Sequence, residues 1–336
     1  MSWGPESLGL LLFALLVFPG LFFTVALALF SEWYLRKIVA RMQNRMGPSY
    51  VGPFGILQPL ADFLKLVMSK EEVVQKFSLS WVPKAMALTG IGAAVASLLF
   101  LPISPFRVVA PYDFVVYLYI CSLWVPVSIV FMGLSAPNPF VSAGISRLLS
   151  LFIATEPVWF AAVLVPVALT TYYGYSEMPF SVFCTAVNSW RLWSEPLGAV
   201  AMLLGLVGTV VSIQAKEMAQ PFNIPEAEHE LIAGFATEFS GPVLGLFNLV
   251  HDVDTAVSLL LVTYIYLGGP YPYPHLSVPG ILLLIVKYLA LLTVVSVIRS
   301  SFGRFRIEQG IETLLKYSAA PVAIALILAN IAPIIT

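Results

Sequence analysis

The chain has 336 residues, 59% of them hydrophobic and 10% charged, with a net charge of -1. A soluble domain carries about 25% charge, and a soluble fold of this composition would have nowhere to put its apolar surface, so lipid must cover it. The two cysteines, Cys121 and Cys184, fall short of the roughly four ligands that a zinc ribbon or an iron–sulfur cluster needs. Both lie in or beside apolar stretches and read as packing residues. No metal or redox cofactor is therefore expected in this chain itself.

The first predicted element is the apolar run from Leu8 to Phe30. It lacks the basic start, short core and small-residue cleavage site of a secretory signal. It is long enough to cross a bilayer, which takes about 20 helical residues, so it reads as a retained first transmembrane helix. Further runs follow at 83–102, 113–135, 150–171, 196–214, 235–266, 279–298 and 313–334. The fold class is thus an all-α polytopic membrane protein of about eight helices, a single membrane domain over 1–336. The sixth run is overlong and holds Pro242, Asn248, His251, Asp252 and Asp254, so it is tilted, kinked or partly outside the membrane. No internal repeat of the inverted-repeat transporter kind is visible.

Eight spans place both termini on one side. The odd-numbered loops and their flanks hold all of the 17 Lys and Arg residues except Arg107, Arg191 and Lys287. The positive-inside rule puts those loops in the cytoplasm and both termini outside, in a cell membrane.

The first cytoplasmic loop, 31–82, carries Arg36, Lys37, Arg41 and Arg45, then Gly and Pro turns through 47–55. Pro59 can start a helix. Leu60, Phe63, Leu64, Val67 and Met68 recur at helical spacing opposite Asp62 and Lys65, which predicts an amphipathic helix at the interface. Lipid headgroups alone could account for the basic residues.

The third cytoplasmic loop, 215–234, is acidic, with Glu217, Glu226, Glu228 and Glu230. Pro225 suits a first helical position, and Glu226 after it could simply complement a helix start. Four acids gathered on a basic face point further, because carboxylates at a membrane entrance can relay protons. In the last loop Arg304, Arg306, Glu308, Gln309, Glu312 and Lys316 recur along a helix start, much of which ordinary ion pairing would explain.

Ionisable residues inside apolar spans are costly and functional by default. Glu156 lies in span four, Glu238 opens span six with Asp252 on nearly the same helix face, and Lys287 is mid-span in seven. They read as proton-path groups; the bland alternative is a structural pair of Glu156 or Glu238 with Lys287. Asp254 reads as interfacial, His275 as a solvated loop residue, and His229 and His251 as weak candidates, since a lone histidine is slight evidence of chemistry.

Arg36-Lys37, Arg41-Met42-Gln43-Asn44-Arg45-Met46-Gly47-Pro48, Val51-Gly52-Pro53 and Leu57-Gln58-Pro59-Leu60-Ala61-Asp62 resemble the first-loop signature of the family of respiratory complex I subunit 1 and its bacterial counterparts. Pro221-Phe222, Pro225-Glu226-Ala227-Glu228, Glu230, Gly234 and Glu238 resemble its third loop. Gly144-Ile145-Ser146-Arg147 with Glu156, and Arg304, Arg306, Gln309 and Lys316, resemble its span four and last loop. The resemblance covers nearly the whole chain. It implies a membrane subunit between a peripheral redox arm and antiporter-like membrane subunits.

In that family the loops line a chamber under the redox arm. Arg36, Lys37, Arg41, Arg45, Asp62, Arg147, Arg304 and Arg306 would form the docking and chamber surface. Glu217, Glu226, Glu228, Glu230, Glu156 and Glu238 would form the route into the membrane.

Some positions depart from the pattern. The family arginine of the third loop is Ala219, the usual aspartate is Asn223, and a later family glutamate falls at His251. These departures point away from a quinone chamber and toward the branch found in energy-converting membrane-bound hydrogenases and related ferredoxin-driven, sulfur-reducing complexes. The implied partners are a hydrogenase-like large subunit, an iron–sulfur subunit, antiporter-like subunits and lipids, not nucleic acid. The implied cofactors are iron–sulfur clusters and a nickel–iron centre, all in partner subunits. The competing readings are a quinone-chamber subunit and, from another class, an independent secondary ion transporter.

Overall fold

In lipid a backbone has no water to bond, so each long apolar run closes its own hydrogen bonds as a helix. The computed structural model describes residues 5–335 except Gln75 and Arg107, and the side chains of residues 5–8, 228 and 333–335 are not described. Arg107, used in the charge reading, therefore lies outside the described residues.

Among the described residues, eight helices are long and apolar enough to cross a bilayer: Gly9–Met42, Trp81–Phe100, Asp113–Leu134, Pro139–Tyr172, Pro196–Lys216, Gly241–Ile265, Val278–Ser301 and Ile307–Ala332. No strand occurs among the described residues. The protein is a multi-pass, all-helical membrane protein.

The first span is two helices, α1 (Pro5–Leu16) and α2 (Leu21–Met42). In the first loop lies α3 (Gln58–Leu64), continued by a π-helical turn at Lys65–Ser69. Next come α4 (Trp81–Ser97), then α5 (Asp113–Val116) and α6 (Trp124–Leu134) joined by a π-helical turn. The fourth span is α7 (Pro139–Tyr172). A short outer helix, α8 (Val182–Asn188), precedes α9 (Pro196–Lys216). The third loop holds α10 (Glu228–Leu231) and leads into α11 (Gly241–Ile265). The chain closes with α12 (Val278–Ser301), α13 (Ile307–Leu314) and α14 (Ala320–Ile335).

Local chemistry sets the ends. Asn138 accepts the Phe140 N–H at 2.9 Å and Pro139 takes the first helical position of α7. Asn44, at φ 54°, ends α2, and the Arg45 N–H turns back to the Ala40 carbonyl at 2.9 Å. Two boundaries differ from expectation. The overlong sixth run resolves into a loop through Ser240 and a helix from Gly241, so Glu238 precedes the helix and shares no helix face with Asp252. Pro225 sits in a turn, and α10 starts three residues later at Glu228.

The loops sort into two ends, as eight crossings require. At the basic end, the Leu79 N–H bonds the Ser135 carbonyl at 3.0 Å and the Phe305 N–H bonds the Pro221 carbonyl at 2.9 Å. At the other end, the Tyr112 N–H bonds the Pro179 carbonyl at 2.9 Å, and Trp190 stacks on Tyr271 with ring centroids 4.0 Å apart. The apolar stretch of α11 is 67% buried, against 22% for the first span and 28% for the last. α11 is therefore the central helix, and the first and last spans lie at the periphery. Asp254, Ser258 and Thr263 of α11 are buried in protein, whereas Asn248 is exposed.

Candidate functional site

The break between α9 and the third loop places the site. α9 runs to Lys216, and Met218 takes φ 46°, a left-handed conformation uncommon for a side chain of its size. The Ala219 N–H turns back to the Gln214 carbonyl at 3.0 Å. This turn leaves Lys216 and Glu217 pointing into the bundle rather than out of it: the Lys216 side chain is 0% exposed and that of Glu217 4%.

Lys216 forms an ion pair with Asp254 of α11 and lies 3.8 Å from Glu217. Its ammonium also reaches Ser258 Oγ at 3.4 Å and sits 5.8 Å from the Trp159 ring centroid of α7. Glu217 accepts from Thr255 at 2.7 Å through Oε2, while Oε1 is buried with no hydrogen-bond partner. Burial, and after it the charge of Asp254, holds the Glu217 carboxyl well above the usual carboxylate range. His251 Nδ1 is 4.0 Å from Glu217.

Glu156 lies across from Lys216. It is 5% exposed, and neither carboxyl oxygen has a hydrogen-bond partner. Glu156 and Lys216 line one cleft with Thr155, Ala215 and Met218. A second cleft is lined by Glu217, His251, Asp252, Glu32, Gln214 and Arg299. A third joins Asp252 and Asn248 to Arg36 and Asp62. Arg36 donates to Glu32 at 2.5 Å and to Asp62 at 2.9 Å. Ionisable groups thus follow one another from the first loop, through Asp252 and Glu217, to Glu156 among the spans. Such a succession, with water in the clefts, can pass protons.

The remaining residues singled out in the sequence lie elsewhere. Glu230 accepts from Arg147 at 2.6 Å and from Arg304 at 2.7 Å, and the Arg147 hydrogen bond, above all, lowers its pKa. It is held as a carboxylate between two arginines and ties the third loop to α7 and the last loop. Glu226 is half-buried, and the Glu228 side chain lies outside the described residues. Glu238 accepts from Asn138, in a polar cleft with Glu72 near Ser240. Lys37 holds the first loop by donating to the Pro48 carbonyl at 2.7 Å and the Phe54 carbonyl at 3.2 Å. Arg41 and Arg45 are exposed, and the Arg306 N–H donates to Gln309 at 3.1 Å.

Three expectations need correction. Lys287 pairs with neither Glu156 nor Glu238; at the opposite end it donates to the carbonyls of Leu267 and Gly269 at 2.8 Å and of Tyr271 at 3.2 Å. It satisfies the backbone where α11 unwinds, which helical periodicity cannot reveal. Asp254 is not interfacial but buried at mid-α11. His275 is not simply solvated: its ring lies over Tyr264, with centroids 6.1 Å apart.

Sequence reasoning missed Lys216 and Asp254 as a pair. Lysine at a helix C-terminus is ordinary, and nothing local shows that this end is enclosed. The signal that was present is the rank of the position: Lys216 precedes the first acid of a loop already marked as chemical.

The model of the family described as NADH dehydrogenase matches residues 14–331. Among solved structures, a chain of the membrane-bound sulfane sulfur reductase, an archaeal respiratory membrane complex, is similar with a TM-score of 0.78 and 26% identity, over 96% of this chain and 99% of that one. A match across nearly every span, with the loop signatures in place, leaves one assignment: the chain belongs to the NADH dehydrogenase family of complex-I-like membrane subunits, of the subunit 1 type.

Proposed function

We propose that this chain is the anchoring and coupling subunit of a respiratory complex, linking electron transfer in a peripheral arm to proton or sodium movement through the membrane. The observation that carries this reading is the succession of three clefts from Arg36 and Asp62, by Asp252 and Glu217, to Glu156. An ion path needs groups that exchange charge in enclosed surroundings, and a mere anchor has no use for buried acids whose oxygens lack partners.

The arm is of the ferredoxin-driven, sulfur-reducing or hydrogen-evolving kind. The similar archaeal subunit sits in a sulfane sulfur reductase. The turn after α9 carries buried Ala219 and exposed Gln220 and adds no cation of its own to the clefts beside it, whose arginines are Arg299 and Arg304; a quinone would need fixed donors and cations as charge develops. Iron–sulfur clusters and a nickel–iron-type centre would belong to the partner subunits. The basic first loop, with exposed Arg41 and Arg45, would dock the arm, and exposed Leu64 and Met68 beside α3 suit a membrane interface.

The test is the purified complex in proteoliposomes, driven by reduced ferredoxin. Glu156→Gln and Glu217→Gln should each lower ion uptake per electron on the order of 100-fold. Wild-type ratios in both variants would remove the coupling role. Quinone reduction blocked by a quinone-site inhibitor would move the chain to the quinone branch.

A further inference from the structure

The proposed path passes a buried cation that its carboxylates alone do not require. Lys216 faces Asp254, Glu217 and Glu156, three acids from three segments, and one ammonium neutralises one carboxylate. In this structure it has chosen Asp254. Glu156 is left more than nine-tenths buried with both oxygens unpartnered, aimed into the cleft it shares with Lys216. An isolated buried carboxylate is not sustained, so Glu156 there carries its proton.

The surroundings permit a second position. The ammonium lies over Trp159, one helical turn from Glu156 on the same face of α7. Pro157 lacks the N–H that would bond the Ile153 carbonyl, so α7 is loosened at this turn. The lysine stem is a flexible four-carbon chain with a compact charge. The other charged groups nearby, Glu217, His251 and Asp252 with Glu32 and Arg299 behind them, line the loop-side cleft rather than the cleft of Glu156.

We propose that Lys216 is a two-position charge that moves its ammonium between Asp254 on α11 and Glu156 on α7, so that a proton enters at Asp254 as another leaves Glu156. In the first position Asp254 is a carboxylate paired with Lys216 and Glu156 is protonated. When the ammonium crosses, Asp254 takes a proton from the Glu217 side, and Glu156 gives its own to water entering the cleft it lines with Thr155 and pairs with Lys216. On return, the proton on Asp254 passes to Glu156 and the pair with Asp254 reforms. One proton enters and one leaves per cycle, and Lys216 keeps its protons throughout. Lys216 is thus a positioning residue that sets the order of transfer.

This inference rests on the coupling role proposed above. The native complex in proteoliposomes tests it with Lys216→Met/Asp254→Asn, which removes both charges of the pair and leaves neither stranded. A purely structural pair predicts an assembled complex with the normal ratio of ions to electrons. The proposal predicts an assembled complex whose ratio drops on the order of 100-fold. Lys216→Arg supplies a variant that keeps the charge and the fold: the planar guanidinium grips Asp254 with two hydrogen bonds and should not cross, so the ratio drops here too. A second readout is the infrared difference between reduced and oxidised complex carrying ¹³C-glutamate. A carboxyl band that vanishes in Glu156→Gln should change with redox state in the wild type and stay constant in Lys216→Arg. A wild-type ratio in either Lys216 variant, with Glu156→Gln impaired, overturns the moving lysine and spares the coupling role. A wild-type ratio in Glu156→Gln, together with Glu217→Gln, overturns both.

Discussion

Glu217 shows how one turn of backbone makes a chemical group. Its carboxyl is raised by burial first and by Asp254 second. Below the ordinary carboxylate pKa, both folded and unfolded chains hold this proton, and no charge is buried. As pH rises toward the higher folded value, the unfolded chain has released the proton and the folded chain has not, so stability is lost through that window. Glu217→Gln removes the term. Thermal unfolding of the complex should show the variant matching wild type below the ordinary carboxylate pKa and becoming the more stable of the two as pH rises above it. A difference that does not widen with pH would mean that Glu217 meets water freely. Glu217 was legible as chemical from its loop, but its depth was not. That depth depends on the left-handed Met218 and on α11 packing beside it.

At the scale of elements, the third loop is held by two devices. Arg147 and Arg304 grip Glu230 from either side. Gly144 of α7 lies against the backbone of Gly234 and Phe235, where a Cβ would overlap it. Gly144→Val should therefore displace the loop at a cost of about 1–3 kcal/mol, read as lower thermal stability of the assembled complex. Glu230→Ala should act more gently and locally, by faster hydrogen exchange at the amides of 228–239 with spans unaffected. Because the folded Glu230 pKa is lowered, its contribution is present above the ordinary carboxylate pKa and fades as pH falls through the lower folded value. In acid, the exchange of wild type and Glu230→Ala should converge. The spacing of α7 was partly visible in sequence, and the match of Gly144 to a signature marked it. Gly234, 90 residues on, was marked by the third-loop resemblance too, but that the two glycines meet was not legible.

For the whole molecule, eight crossings and the loop contacts divide the chain into two ends, and the basic residues gather at one. From the positive-inside rule we propose that the first and third loops face the cytoplasm and that both termini lie outside. Tyr50, 95% exposed, and Tyr273, 48% exposed, lie at opposite ends. Cysteines at these positions should label from opposite sides with an impermeant reagent, against a low background because Cys121 and Cys184 are buried. Labelling of both from one side would require an odd number of crossings between them to be abandoned for an even one.

Span number, helical class and the basic end follow from local quantities: a run of about 20 apolar residues must cross, its backbone must pair within itself, and lysines and arginines mark one side. These needed no knowledge of neighbours, and the loop signatures added the family. Which helix is central, which acid is enclosed and which cation it meets depend on segments far apart in the chain. Lys216 and Asp254, 38 residues apart, look like a helix-end lysine and an interfacial acid until α9 is laid against α7 and α11. Lys287 looks like a charge in the bilayer until the chain beyond α11 brings three carbonyls to it. The energy of a buried charge is set by what surrounds it in space, and tertiary packing decides that.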